Sequence, residues 1–150
     1  MTRERLLKLL ALALGIILIV YGVQKLGEPS DFLKSIHAYG ILPTQPPWLL
    51  NLSAITLPWL EILCGLAMAA GPLRRGAAAL SALVLAVFTA AILVRSFQVM
   101  GAEGTPFLEL AFDCGCGSGT VVIWQKILFN GALIVGTAWV ALAARRPADA

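Results

Sequence analysis

The chain has 150 residues, 59% of them hydrophobic and 13% charged, with a mean hydropathy of +0.88. Soluble domains run at about 45–50% apolar and about 25% charged residues, so this composition excludes an ordinary water-soluble fold and indicates a membrane protein. The net charge of +3 requires no nucleic-acid partner, because the basic residues sit at the ends of apolar blocks, where membrane topology needs them.

Residues 1–8 are basic and lead into an apolar run, as a secretory signal does. The run then continues into Gly22-Val23-Gln24-Lys25 without a small-x-small cleavage site, which marks it as a retained first span. Four blocks, 6–23, 49–70, 76–94 and 121–144, are long enough to cross a hydrocarbon layer of ~30 Å at ~1.5 Å per residue. They predict an all-α integral membrane four-helix bundle forming one domain over 1–150. Arg3, Arg5, Lys8, Arg74, Arg75, Arg145 and Arg146 fall on one side, and Lys25, Lys34, Arg95 and Lys126 on the other. Seven against four predicts cytoplasmic termini, in the inner (cytoplasmic) membrane of a bacterium. Loops 24–48 and 95–120 then face outward.

In the first outer loop, Ser30 or Asp31 is placed to cap a short helix running through Tyr39 and ended by Gly40 and Pro43. Phe32, Ile36 and Tyr39 share one face, with Lys34 and Ser35 on the other. That is the pattern of a helix lying in the interface and roofing the bundle. Trp48, Trp59 and Trp124 gather at the outer side and Trp139 nears the inner one, as in an aromatic belt. In the third span Ala78, Ala82, Ala86 and Ala90 recur at every fourth position and predict a face that meets another helix, since close backbone approach decides packing in lipid. Gly15 and Gly22 suit the first span to the same task.

Glu61 is the one acidic residue well inside a predicted span. A charge at that depth costs ~2.5–3.5 kcal/mol even on insertion scales, so it needs a partner or a proton. Pro58, one turn earlier, lacks an N–H and frees the carbonyl of Ala54, which makes a polar notch. Cys64, three residues on, shares the face of Glu61. Two readings stand together: a proton or ligand site beneath the outer loops, and a structural ion pair with Lys25 or Arg95 at the outer span ends.

The chemistry-bearing stretch is Asp113-Cys114-Gly115-Cys116-Gly117-Ser118-Gly119, just ahead of the last apolar run. Cys114 and Cys116 admit three readings. As a redox pair they would close a small, strained ring, and strained or exposed disulfides are the exchange-competent ones. As ligands they would hold Cu(I), Hg(II) or Zn(II), joined by Cys64 or His37. As a permanent crosslink they would close almost no loop and restrict the unfolded chain very little, which argues against a purely structural role. Gly115 lets the ring close, and Gly117 and Gly119 keep the approach open. Ser118 or Thr120 is placed to cap the fourth span, whose N-terminus would favour thiolate. Asp113 works against that and would serve as a proton acceptor. Cys64 by itself reads as a small buried hydrophobe, and His37, the single histidine, as a solvated or hydrogen-bonded side chain on the outer helix.

Several segments together resemble the DoxX-like superfamily and, within it, the MauE branch of methylamine-utilisation membrane proteins. They are Gly22-x-x-Lys25-Leu26, the 32–43 stretch with Ile36, Tyr39 and Leu42-Pro43, Leu57-Pro58-Trp59-Leu60-Glu61 with Gly65, and Cys114-Gly115-Cys116 followed by Trp124 and Asn130. The first features are general to DoxX-like proteins; the Cys-Gly-Cys before the last helix points to MauE. The resemblance implies a four-helix membrane protein that acts with a thioredoxin-like partner, moving redox equivalents for disulfide formation in a periplasmic client. These 150 residues show no thioredoxin-like segment, so the partner is expected to be a separate chain. Nothing in these residues identifies methylamine metabolism itself.

The combined expectation is a thiol–disulfide oxidoreductase whose outward-facing Cys114 and Cys116 exchange with a thioredoxin-like or client protein. Cys64, Glu61 and Asp113 are its candidate redox or proton relay, and Lys25, Arg95 and His37 its candidate pocket or ion-pair residues. A quinone below the turn is a candidate cofactor, by analogy with other four-helix disulfide enzymes. The rival is a soft-metal or small-solute carrier that uses the same thiolates as ligands. A third possibility is an accessory subunit that only scaffolds a partner.

Overall fold

The computed structural model describes residues 2–113, 115 and 119–144. Helices α1 (Arg3–Gly27), α3 (Trp48–Ala70), α4 (Arg74–Glu103) and α5 (Ile123–Ala143) are each long and apolar enough to cross a membrane. A short α2 (Pro29–Ala38) follows α1, and a single 3-10 turn (Phe107–Glu109) precedes the antiparallel strands β1 (Ala111–Asp113) and β2 (Thr120–Val122). Leu12, Ile16, Val20, Leu63, Val87 and Val135 are all exposed on the bundle's outside. In water such a surface would aggregate; in a bilayer it is the surface that lipid requires.

α1 packs most extensively on α3, and α4 on α5. The first pair is a glycine contact. A Cβ on Gly15 would lie 2.6 Å from the Gly65 carbonyl oxygen, one on Gly65 would lie 2.5 Å from that of Gly15, and one on Gly22 would lie 2.7 Å from that of Pro58. Gly15 and Gly22 therefore do what the sequence predicts, with Gly65 as their counterpart.

The alanine row on α4 is corrected. The helix buries Ala78, Ser81, Leu85, Thr89, Ile92, Ser96 and Val99, while Ala86 and Ala90 face outward. A strict four-residue repeat gains ~40° per step on a helix of ~3.6 residues per turn and drifts off any one face; alternating steps of three and four hold a straight seam. The seam is partly polar. Ser81, Thr89 and Ser96 donate their hydroxyls to the carbonyls of Ala77, Leu85 and Ile92 at 2.8, 2.7 and 2.7 Å, which satisfies them without water. Asn130 Nδ2 donates to Thr89 Oγ1 at 3.1 Å and ties α5 to α4.

Thr2, the 71–73 turn and Ala143–Ala144 line one cleft, so both ends of the described chain share one end of the bundle. α2 forms as expected but starts earlier. Glu28 is its N-cap residue and Pro29 its first helical one, because the fixed φ of proline suits that position. Ser30 and Asp31 lie inside the first turn, and Asp31 accepts from Lys34 at 2.6 Å instead of capping. Phe32, Ile36 and Tyr39 are buried, and so is Ser35, which the sequence assigns to the solvent face.

The last span is also corrected. Thr120, Val121 and Val122 pair with Asp113, Phe112 and Ala111, a β-branched run that favours strand over helix. α5 begins only at Ile123, with Val122 extended at its N-cap and no side-chain cap. Its N-terminus is thus set back from the turn by the length of β2, and Thr120 caps nothing. Ser118 lies outside the described residues.

Candidate functional site

Two levels of contact descend from the turn. The lower one is set by Gly22 against Pro58. The two helices run antiparallel through that approach, so Lys25 lies one turn past it toward the cysteine turn and Glu61 one turn past it the other way. Side chains lean toward the N-terminus of their own helix, so the long lysine and the glutamate reach toward each other across it. Lys25 Nζ meets Glu61 Oε1 at 2.5 Å, with Lys25 4% and Glu61 8% exposed. The ammonium also lies 4.8 Å from the ring centroid of Phe88 and 5.2 Å from that of Phe32, within cation–π range. Glu61 Oε2 has no hydrogen-bond partner among the described residues. Beside it, Glu61, Cys64 and Ser81 line a space of about 10 Å³, closed by Leu18, Leu60 and Leu85. That is room for about one water, not for a quinone ring.

The upper level joins α2 to the cysteine turn. Gly115 has φ +67°, in the left-handed region, and a Cβ there would stand 2.7 Å from Ser35 Cβ and 3.2 Å from Phe32 Cδ2. Only glycine meets both demands. Its N–H donates to Asp113 Oδ1 at 2.8 Å, the local bond by which aspartate shapes a turn. Phe32 therefore touches both levels, the ring of Lys25's cage and the seat of Gly115. A small cleft of about 40 Å³ opens between the turn and α1, with Lys25 at its floor and Glu28, Asp31 and Asp113 on its walls. Tyr39 is buried under the same roof, and that burial, with Asp113 nearby, holds its phenol well above the ordinary tyrosine range.

Residues 3–143 match the family described as Methylamine utilisation protein MauE. The chain belongs to the MauE family. No curated protein and no solved structure matches it. The MauE match takes in all four spans, the short α2 and the cysteine turn.

Of the site residues expected in this MauE chain, the structure brings Lys25 and Glu61 into contact and sets Cys64 beside Glu61. Cys64 is a buried free thiol in the lower space and does not line the cleft at Gly115. Asp113 stands in the turn. Arg95 does not join: it is half-exposed beyond the ion pair, and its Nη1 donates to Gln98 Oε1 at 3.5 Å. Lys25 takes the carboxylate because the glycine contact brings its helix within reach. His37 is exposed in the last turn of α2. Cys114 and Cys116 lie outside the described residues and flank Gly115 in the sequence.

Four contributors were not foreseen. Phe32 and Phe88 cage Lys25, Ser35 seats Gly115, and Lys126 Nζ lies 4.4 Å from the Tyr21 ring centroid. Ser35 was findable, because 32, 35, 36 and 39 form one i, i+3, i+4, i+7 stripe and a small residue there permits close approach. No spacing in the sequence links Phe88 to Lys25.

Proposed function

We propose that this MauE-family protein is a membrane thiol–disulfide oxidoreductase, with Cys114 and Cys116 as its redox pair. One thiolate attacks a disulfide of a thioredoxin-like or client protein, forms a mixed disulfide and expels the partner's first thiolate. The second cysteine then attacks the mixed disulfide, closing the Cys114–Cys116 bond and releasing the partner's second thiolate. Two electrons and two protons pass to the partner; run backwards, the same steps oxidise it. The observation that carries this reading is the seat of Gly115. The residue between the two cysteines is fixed by its own φ, by Ser35 and Phe32, and by Asp113, which supports a preorganised backbone at Gly115 for the exchange.

Asp113, at the exposed edge of that turn, exchanges the thiol protons with water. Lys25 and Glu61 form the floor, and Glu61 with Cys64 beside it is the relay beneath the turn. The turn faces the periplasm and the arginine-rich end faces the cytoplasm of a bacterial inner membrane, in line with the charge asymmetry between the two ends. The wider DoxX-like resemblance of the Gly22–Leu26 and Leu57–Glu61 segments fits the same four-helix plan.

The test is trapping in cells. Cys116→Ala and Cys114→Ala variants are compared by non-reducing electrophoresis, and one of them is expected to accumulate a reducible adduct with a second protein. A membrane-impermeant maleimide applied from the periplasmic side should label the reduced pair. If neither variant forms an adduct while both cysteines can be replaced without loss of client oxidation, the proposal is wrong.

A further inference from the structure

The end of the bundle away from the cysteine turn carries the largest cleft described, about 700 Å³, between the start of α1, the α3–α4 turn and the end of α5. Among the described residues, four cationic side chains line it, Arg3, Lys8, Arg74 and Arg75, with one carboxylate, Glu4, which binds Lys8 at 3.0 Å. Two helices begin here and two end here, so their dipoles largely cancel and the side chains set the field. Arg74 is built into the wall. Its Nε donates to the Met68 carbonyl at 3.0 Å, and the guanidinium folds over Gly71, where a Cβ would come 3.2 Å from Nη2. The remaining walls are apolar, with Leu7, Leu73 and Ala143.

We propose that this cleft binds the phosphodiester headgroup of an anionic phospholipid, with Arg3 and Arg75 on the phosphate and the apolar walls against the first acyl carbons. The site lies where the spans leave the hydrocarbon, at headgroup depth, and basic pockets between membrane helices suit such headgroups. A free phosphate would use the arginines but leave the volume and the apolar walls unexplained. The proposal is independent of the cysteine chemistry.

The full chain, purified in neutral detergent, is titrated with phosphatidylglycerol or phosphatidylcholine and followed by native mass spectrometry. One phosphatidylglycerol per chain is expected, with phosphatidylcholine clearly weaker. Each of Arg3→Gln and Arg75→Gln should weaken the anionic lipid by roughly fivefold, and the pair by roughly thirtyfold, as the loss of basic residues at a membrane surface predicts. Arg5→Gln removes the same charge from an exposed residue outside the cleft and should leave binding unchanged. Equal binding of the two lipids by the unaltered protein, or an equal loss in Arg5→Gln, overturns the site. Displacement of the lipid by millimolar inorganic phosphate assigns the cleft to a soluble phosphate and overturns it too.

Discussion

Gly115 rests on Ser35 so closely that a side-chain carbon on the glycine would come 2.7 Å from Cβ of the serine. Gly115→Ala must therefore lift the turn off α2 as well as force an L-residue into a left-handed conformation, which costs about 1–2 kcal/mol by itself. The expected outcome is a protein of unchanged helical content whose turn is loosened. Hydrogen exchange should rise at 113–120, and trapping of the partner should fall several-fold. Ser35→Gly in the same chain removes the clash with Ser35 but neither the tight contact with Phe32 nor the backbone cost, so only part of the loss returns. Full activity in Gly115→Ala would mean that the seat has no bearing on exchange.

Tyr39 supplies a pH dependence. Burial first, and Asp113 second, raise its folded pKa above the value near 10 that an exposed phenol has. Above that pH the unfolded chain has lost a proton that the folded chain keeps, so folding stability falls as pH rises past ~10; below it the contribution is intact. Thermal midpoints in detergent are expected to drop between pH 9 and pH 11, and Tyr39→Phe should remove part of that drop. Lysines titrate in the same range, so the difference between the two proteins is the diagnostic quantity. An identical drop in both would exclude Tyr39 as its source.

The spans were legible because a long apolar block is a strong, one-dimensional signal. The Lys25–Glu61 pair was legible because a lone intramembrane carboxylate demands a partner and few cations lie within reach. Faces within the spans were not. In water an apolar stripe marks the buried side, but in lipid both sides are apolar, so Ala86 and Ala90 look like packing residues while pointing outward. Helix ends were misjudged for a related reason. Hydropathy follows the bilayer's thickness, whereas α4 runs on through Arg95 to Glu103. Thr120–Val122 looked like the start of the last span because three residues are too few to show strand alternation.

The α1–α3 contact separates these two kinds of small residue. Gly65→Ala puts a carbon 2.5 Å from the Gly15 carbonyl, and its only relief is to part the helices, with overpacking costs of about 1–3 kcal/mol. Ala86→Leu, on an outward face, should change stability by less than about 0.5 kcal/mol. Unfolding midpoints in mild detergent compare the two. If Ala86→Leu proves the more damaging, the assignment of the α4 seam fails.

The ion pair between Lys25 and Glu61 is both a structural device and a candidate for proton handling, and a three-variant series distinguishes the roles. Removing one partner leaves the other charge buried, which typically costs 3–5 kcal/mol. Glu61→Gln should be the milder single change, since the ammonium keeps the faces of Phe32 and Phe88 and gains an amide oxygen. Lys25→Met strands a carboxylate whose Oε2 already has no described partner. The double variant Lys25→Met/Glu61→Leu removes both charges and should recover most of the lost stability, because a well-packed apolar pair often replaces a buried ion pair without penalty. Once the double variant folds, its exchange rate is measured against pH. A profile unchanged from the unaltered protein assigns the pair to architecture alone; a flattened profile with the fold intact assigns Glu61 to the proton's path. A double variant no more stable than either single one would show that these charges, although in contact, are held in place for other reasons.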